Sequence, residues 1–199
     1  MATDARLIEK AVTAAGLAAR YAQPHRHYHT MTHVKHVLET IDQLSPEGGD
    51  DDAVRLAAWF HDAIYAPGRQ DNEQRSAYLA RDILELVGAS PKLGTEVSRL
   101  ILLTSHHDPD PADAVGSMLS DADLKILAEP WSTYAEYTWA IRREYELIPD
   151  DEFRPARARI LKGFLQQPAI YRLPTSYERW ESLARANLTR EINELESTP

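Results

Sequence analysis

Apolar positions along this chain recur every three or four residues, and strand-like alternation is scarce. The pattern predicts an all-α fold. Thr3-Asp4 is placed to cap a first helix carrying Leu7, Ile8 and Val12, and Gly16 weakens its later part. Tyr21 to Tyr28 reads as a connection, because Pro24 disfavours helix at the residue before it. Val34, Val37, Leu38 and Ile41 then form a buried stripe that ends before Ser45-Pro46-Glu47-Gly48-Gly49. The acids Asp50 to Asp52 suit the N-terminal dipole of a helix from Ala53 to Ile64, with Val54, Ala57, Phe60, His61 and Ile64 on one face. Asp71-Asn72-Glu73 opens the next helix, which Gly88 and Pro91 close. Further stripes run through Val97, Leu100, Ile101 and Thr104, and through Val115, Met118, Leu119, Ala122 and Ile126. An aromatic helix follows Pro130, from Tyr134 to Tyr145, and Pro149-Asp150-Asp151 interrupts it. Two more helices are expected, from about Arg154 to Leu165 and from Ser176 to about Glu194. There is no internal repeat, and the whole span 1–199 reads as a single domain.

The informative positions are those where polar residues break into the apolar stripes. His33 lies four residues from Val37, and His61 lies four from Ala57 and seven from Val54, so both turn inward. Asp62 follows His61 directly. A single inward histidine is most simply satisfied by a backbone carbonyl. A pair of histidines with an adjacent aspartate is better explained by one shared cation, because unpaired polar groups are costly away from water. A further carboxylate is expected from Ser120-Asp121-Ala122-Asp123. With Leu119, Ala122 and Ile126 as the buried stripe, Asp123 falls beside it and Asp121 near the opposite side. The helical wheel therefore favours Asp123 as ligand and leaves Asp121 to cap, to meet a neighbouring loop or to support the ligands. Two imidazoles and two carboxylates suit a divalent ion of the Mn, Mg, Co, Ni, Zn or Fe group without choosing among them. Such an ion leaves positions for water and substrate, and hydrolytic chemistry is expected.

Composition narrows the partners. The net charge is −9, from 22 basic and 31 acidic residues, which argues against an extended nucleic-acid surface. It does not oppose a small phosphorylated substrate held by a dication and local arginines. No apolar run is long enough for a membrane span, and Met1 to Arg6 shows no signal-peptide pattern. Cysteine is absent, which removes thiolate sites and disulfides. A cytoplasmic protein is the expectation.

In order, His33, His61-Asp62 and Asp123 resemble the H…HD…D pattern of the HD superfamily of metal-dependent phosphohydrolases. Several stretches look like one bacterial subfamily of predicted members: Arg26-His-Tyr28-His29-Thr-Met-Thr-His33, Phe60-His61-Asp62-Ala-Ile-Tyr65, Asp71-Asn72-Glu73-Gln-Arg-Ser76-Ala77 and Asp121-Ala-Asp123-Leu124. Ile141-Arg142-Arg-Glu144-Tyr145 and Ala184-Arg185-Ala-Asn187-Leu188 belong to the same likeness. The resemblance implies a helical bundle with the metal between its central helices and additional C-terminal helices. It assigns His33, His61, Asp62 and, as the aspartate after alanine, Asp123 to the metal. Some HD proteins hold two ions, with His29, Glu73 and His107 as candidates here, but the spacing departs from the usual two-metal pattern and one firm site is expected.

Roles for the neighbours follow from their chemistry. Asp62 is a candidate to help activate water, and Glu73 to act as general base or simply to favour a helix N-terminus. Arg26, His107, Lys125 and Arg143 are candidate phosphate contacts, with Arg142 and Arg157 behind them. Tyr28, Tyr65 and Tyr145 are candidates to line a pocket. The expected activity is hydrolysis of a phosphate ester or anhydride of a small molecule, with a nucleotide among the options. A di-iron oxygenase and a non-catalytic, metal-stabilised nucleotide sensor are the competing expectations.

Overall fold

A computed structural model describes residues 5–45 and 52–197. Thr3-Asp4, Pro46 to Gly49, and Asp50 and Asp51 lie outside these residues, and so do the cap, breaker and dipole roles expected of them. Among the described residues there are ten α-helices, one 3-10 segment and no strand. The helices are α1 (Ala5–Ala14), α2 (Leu17–Tyr21), α3 (Met31–Leu44), α4 (Asp52–Phe60), α5 (Asn72–Leu86), α6 (Pro91–Leu103), α7 (Ala114–Asp123), α8 (Trp131–Glu144), α9 (Asp150–Gln166) and α10 (Pro174–Ser197). A 3-10 segment, Leu124–Ala128, continues directly from α7. No helix is long and apolar enough to cross a membrane.

The sequence of α4 explains its place. Ala53, Val54, Leu56, Ala57, Ala58 and Phe60 are all buried, so the helix is apolar on most sides, with the partly exposed Arg55 paired to Asp42. Such a helix needs neighbours on most sides, and α1, α3, α5, α6 and α7 pack against it. The central helix therefore carries His61 and Asp62, at its C-terminal end, into the middle of the bundle. Gly116 lets α7 approach α6 closely, since a Cβ there would stand 2.8 Å from Leu103 Cδ2. Gly16, in the left-handed conformation, divides the first expected helix into α1 and α2.

Apolar side chains form two clusters. One joins α1 to α7 and includes Leu17, Val34, Ile41, Leu56, Phe60, Leu84, Leu100 and Leu119. The other joins the 3-10 segment to α8, α9 and α10, through Leu127, Tyr134, Leu161, Tyr171, Trp180 and Leu188. Between them, α7 packs its apolar face on the first and runs directly into the 3-10 segment of the second. α9 starts earlier than expected because Asp150 and Asp151, read with Pro149 as an interruption, form its first turn together with Glu152, where acids favour the helix dipole.

Candidate metal centre

His33 sits in the first turn of α3, one residue before the buried Val34. His61 extends α4, its N–H donating to Ala57 O at 2.8 Å. Its Nδ1 lies 2.9 Å from Ala58 O. A carbonyl only accepts, so Nδ1 carries the proton and Nε2 keeps its lone pair for the interior. The Nε2 atoms of His33 and His61 are 3.0 Å apart. Asp62 Oδ2 lies 3.0 Å from His61 Nε2 and 3.6 Å from His33 Nε2. Asp123 Oδ1, at the end of α7, lies 3.0 Å from His33 Nε2 and 3.5 Å from His61 Nε2. The imidazoles are buried, and both carboxylates are partly open.

His33, His61 and Asp62 are placed to hold a metal ion, and the donor spacing passes a simple test. Neighbouring ligands on an octahedral ion with bonds of about 2.1 Å stand about 3.0 Å apart. The contacts Asp62–His61, His61–His33 and His33–Asp123 are each 3.0 Å. Two imidazole nitrogens at that distance, flanked by two carboxylates, call for a positive charge among them. Burial alone pushes the His61 pKa down, but the charges of Asp62 and Asp123 outweigh it and hold it well above the ordinary value. Burial pushes both acids up, but the facing histidines prevail and both lie below the usual carboxylate range. The charge balance of the site therefore favours a cation among these atoms, and His33, His61 and Asp62 could hold a metal ion.

Several side chains shape the turn after α4. Arg26 is buried, and its Nη1 donates to the carbonyls of His29 at 3.0 Å and Asp62 at 2.8 Å. Its Nη2 reaches Ala63 O at 3.3 Å, and its Nε reaches Gln23 Oε1 at 3.2 Å. The expectation that Arg26 meets phosphate is thus corrected: its donors hold the backbone that carries Asp62. Ser76 Oγ bonds Ile64 N–H and C=O, and Asn72 does the same for Ala66. These two polar residues of α5 fix the turn from the far side.

Glu144, from α8, is a second fixing point. Its Oε1 accepts the N–H groups of His27, Tyr28 and His29 at 2.8, 2.8 and 2.9 Å. Its Oε2 accepts from His29 Nδ1 at 2.6 Å and from the Tyr65 hydroxyl at 2.7 Å. Burial would raise this carboxyl, but bonding to His29 and its charge bring it down to about 2. His29 precedes α3, so it meets the site through Glu144 rather than through a helix face shared with His33.

The remaining candidates divide. Glu73 is half-buried at the start of α5, where burial, reinforced by the Asp62 charge, raises its pKa. His107, in the left-handed conformation at φ 51, sets Nε2 at 3.6 Å from Asp123 Oδ2 and Nδ1 at 3.3 Å from Ser120 Oγ. Burial pushes its pKa down, which favours a neutral ring. Lys125 pairs with Glu129 on the wall of a cleft of about 340 Å³ that opens on His33 and Asp123. Arg143 lies over the exposed ring of Trp139, 5.0 Å from its centroid. It points away from the cluster, because Glu144, the next residue on the helix, is the one facing inward. Arg142 ties Asp150 and the carbonyls of Tyr145 and Ile148, closing the turn between α8 and α9.

Asp121 is fully buried, and accepts Arg172 N–H at 2.8 Å and Leu173 N–H at 2.9 Å. It anchors the entry to α10, and Asp123 alone of the two faces the histidines. Sequence reasoning missed Asn72, Ser76 and Glu144 as positioning residues. Their only signal was a polar side chain recurring within the quoted motifs. No family model, no curated protein and no solved structure matches this chain.

Proposed function

We propose that this chain is a metal-dependent phosphohydrolase of the HD type, acting on a small phosphorylated molecule. The observation that carries the reading is the unbroken series Asp62–His61–His33–Asp123, with each neighbouring pair 3.0 Å apart and a cleft opening beside it. His33, His61, Asp62 and Asp123 would hold the ion. A divalent ion there supplies an acidified water and a polarised phosphoryl oxygen.

The chain's own groups do the rest. Ala58 O keeps a proton on His61 Nδ1, so that Nε2 is the nitrogen that would meet the ion. Arg26, Ser76 and Asn72 hold the turn, and with it the position of Asp62. Glu73 has a raised pKa and feels the charges of Asp62, His61 and His29, so its carboxylate is suited to take a proton from water. His107 borders the outer oxygen of Asp123 and restricts its rotation. The partly open carboxylates and the cleft leave room for a small phosphate ester.

Metal content and a phosphatase panel on one preparation test the proposal. About one divalent ion per chain, with hydrolysis of at least one monoester, cyclic diester or anhydride, is the expected result. Bound metal without turnover of any member of the panel overturns it. Two irons per chain would instead favour an oxygenase.

A further inference from the structure

Four interior tyrosines have an acceptor for the hydroxyl proton. Tyr21 donates to Trp59 O at 2.9 Å, Tyr65 to Glu144 Oε2 at 2.7 Å, Tyr171 to Leu124 O at 3.0 Å, and Tyr134 to Glu191. Enclosed phenols normally do so. Tyr28 and Tyr137 differ. Among the described residues, the Tyr28 side chain makes no hydrogen bond, and its backbone N–H alone is engaged, by Glu144. The Tyr137 oxygen receives Arg157 Nη2 at 3.0 Å, which occupies a lone pair and leaves the O–H without an acceptor.

These two rings belong to one place. Their centroids are 4.6 Å apart, edge to face, and Tyr28 lies 4.8 Å from the His33 ring. Both line a cleft of about 270 Å³ together with His33. This cleft shares Tyr28, His33, His36, Ile126 and Thr133 with the larger one that reaches Asp123. The cations expected to meet phosphate are committed elsewhere: Arg26 to backbone carbonyls, Lys125 to Glu129, and Arg157 to Glu191 at 2.8 Å. A phosphoryl group brought to His33 and Asp123 therefore meets phenol donors rather than guanidinium groups.

We infer that Tyr28 and Tyr137 are substrate-binding residues that donate their hydroxyl protons to the non-bridging oxygens of a tetrahedral phosphoryl group. The inference rests on reading the cluster as a metal centre that takes phosphate. A neutral donor suits this position, since an oxyanion accepts a strong hydrogen bond from it and no additional cation competes with the metal for Asp62 and Asp123.

The test uses the full chain loaded with Mn(II) and inorganic phosphate as the probe, followed by calorimetry, with metal affinity measured in parallel. Tyr28→Phe and Tyr137→Phe keep the rings and remove only the hydroxyls. Each is expected to weaken phosphate binding roughly ten- to hundredfold, the worth of a hydrogen bond to a charged group. Metal affinity should stay within about twofold in both. The melting temperature should not fall in Tyr28→Phe, whose hydroxyl makes no hydrogen bond among the described residues, and should fall slightly in Tyr137→Phe, which removes an acceptor of Arg157. Unchanged phosphate affinity in both variants overturns the inference and leaves the hydrolase reading standing. A wild-type chain that loads Mn(II) and does not bind phosphate overturns the hydrolase reading, and this inference with it.

Discussion

Acidic side chains lie inside this protein in two settings. At the entry to α10, Asp121 accepts two backbone N–H groups, and Glu181 accepts those of Ile170 and Tyr171 together with Arg185. Glu144 accepts three N–H groups, a histidine and a phenol. At the centre of the bundle, Asp62 and Asp123 face histidines instead, and their side chains remain partly open. The first kind is complete within the chain and fixes loops on helices. The second kind concentrates negative charge around imidazole nitrogens that can accept a cation. A buried acid is therefore not by itself a site; what it faces decides its role.

The largest effects should appear among the complete acids. Glu144→Ala and Glu181→Ala should each lower stability by about 3–5 kcal/mol, since buried donors lose their acceptor. Asp123→Ala should cost the metal-free protein less than either, since its side chain is partly open and no backbone N–H is bonded to it among the described residues. Urea denaturation of the metal-free forms reads both, and an equal loss for Asp123→Ala would erase the contrast.

Metal retention separates the two aspartates of α7 next. His61→Ala and Asp123→Asn are expected to weaken Mn(II) binding by roughly a hundredfold or more, beyond the usual effect of a supporting residue. Asp121→Asn should leave affinity nearly unchanged and lower the melting temperature instead. Metal loss in Asp121→Asn comparable to that in Asp123→Asn would show that the ligand assignment is wrong.

Acid titration sharpens the case of Glu144. Its folded pKa of about 2 lies below the ordinary 4.5. Its contribution is thus fully present above about pH 4.5 and is lost as pH falls towards about 2, a total on the order of 3 kcal/mol. Stability measured against pH should fall less steeply in this window for Glu144→Gln. An unchanged slope would remove the His29–Glu144 pair as a stabilising contact. The smallest effect is expected from Arg143→Ala, within about 0.5 kcal/mol in stability and without change in phosphate release, because Arg143 stands on the exposed face of α8. Lost turnover in that variant would return Arg143 to the substrate site.

Most helices were legible because their apolar faces repeat at helical spacing; the central place of α4 shows only in the structure, where α1, α3, α5, α6 and α7 pack against it. The inward direction of His33 and His61 followed from the same spacing. Errors came where the wheel assumes one buried side. Asp121 was placed opposite the stripe of Leu119 and Ala122, yet it is fully buried, because the segment leading into α10 covers that side and bonds it through the N–H groups of Arg172 and Leu173. Arg26 read as a free cation because nothing local shows that the carbonyls of Asp62 and Ala63, distant in sequence, need a donor there.

The sequence by itself determined the helical class and the inward register of His33 and His61, since side-chain periodicity is a local property of the backbone. It also determined the resemblance that singled out His33, His61, Asp62 and Asp123. Tertiary structure alone decided that the Nε2 and Oδ atoms of these four lie about 3 Å apart in series, that Glu144 seats His29, and that Tyr28 and Tyr137 line one cleft with His33. Those facts depend on distances between helices far apart in the chain, and such distances are set by packing, which no local pattern encodes.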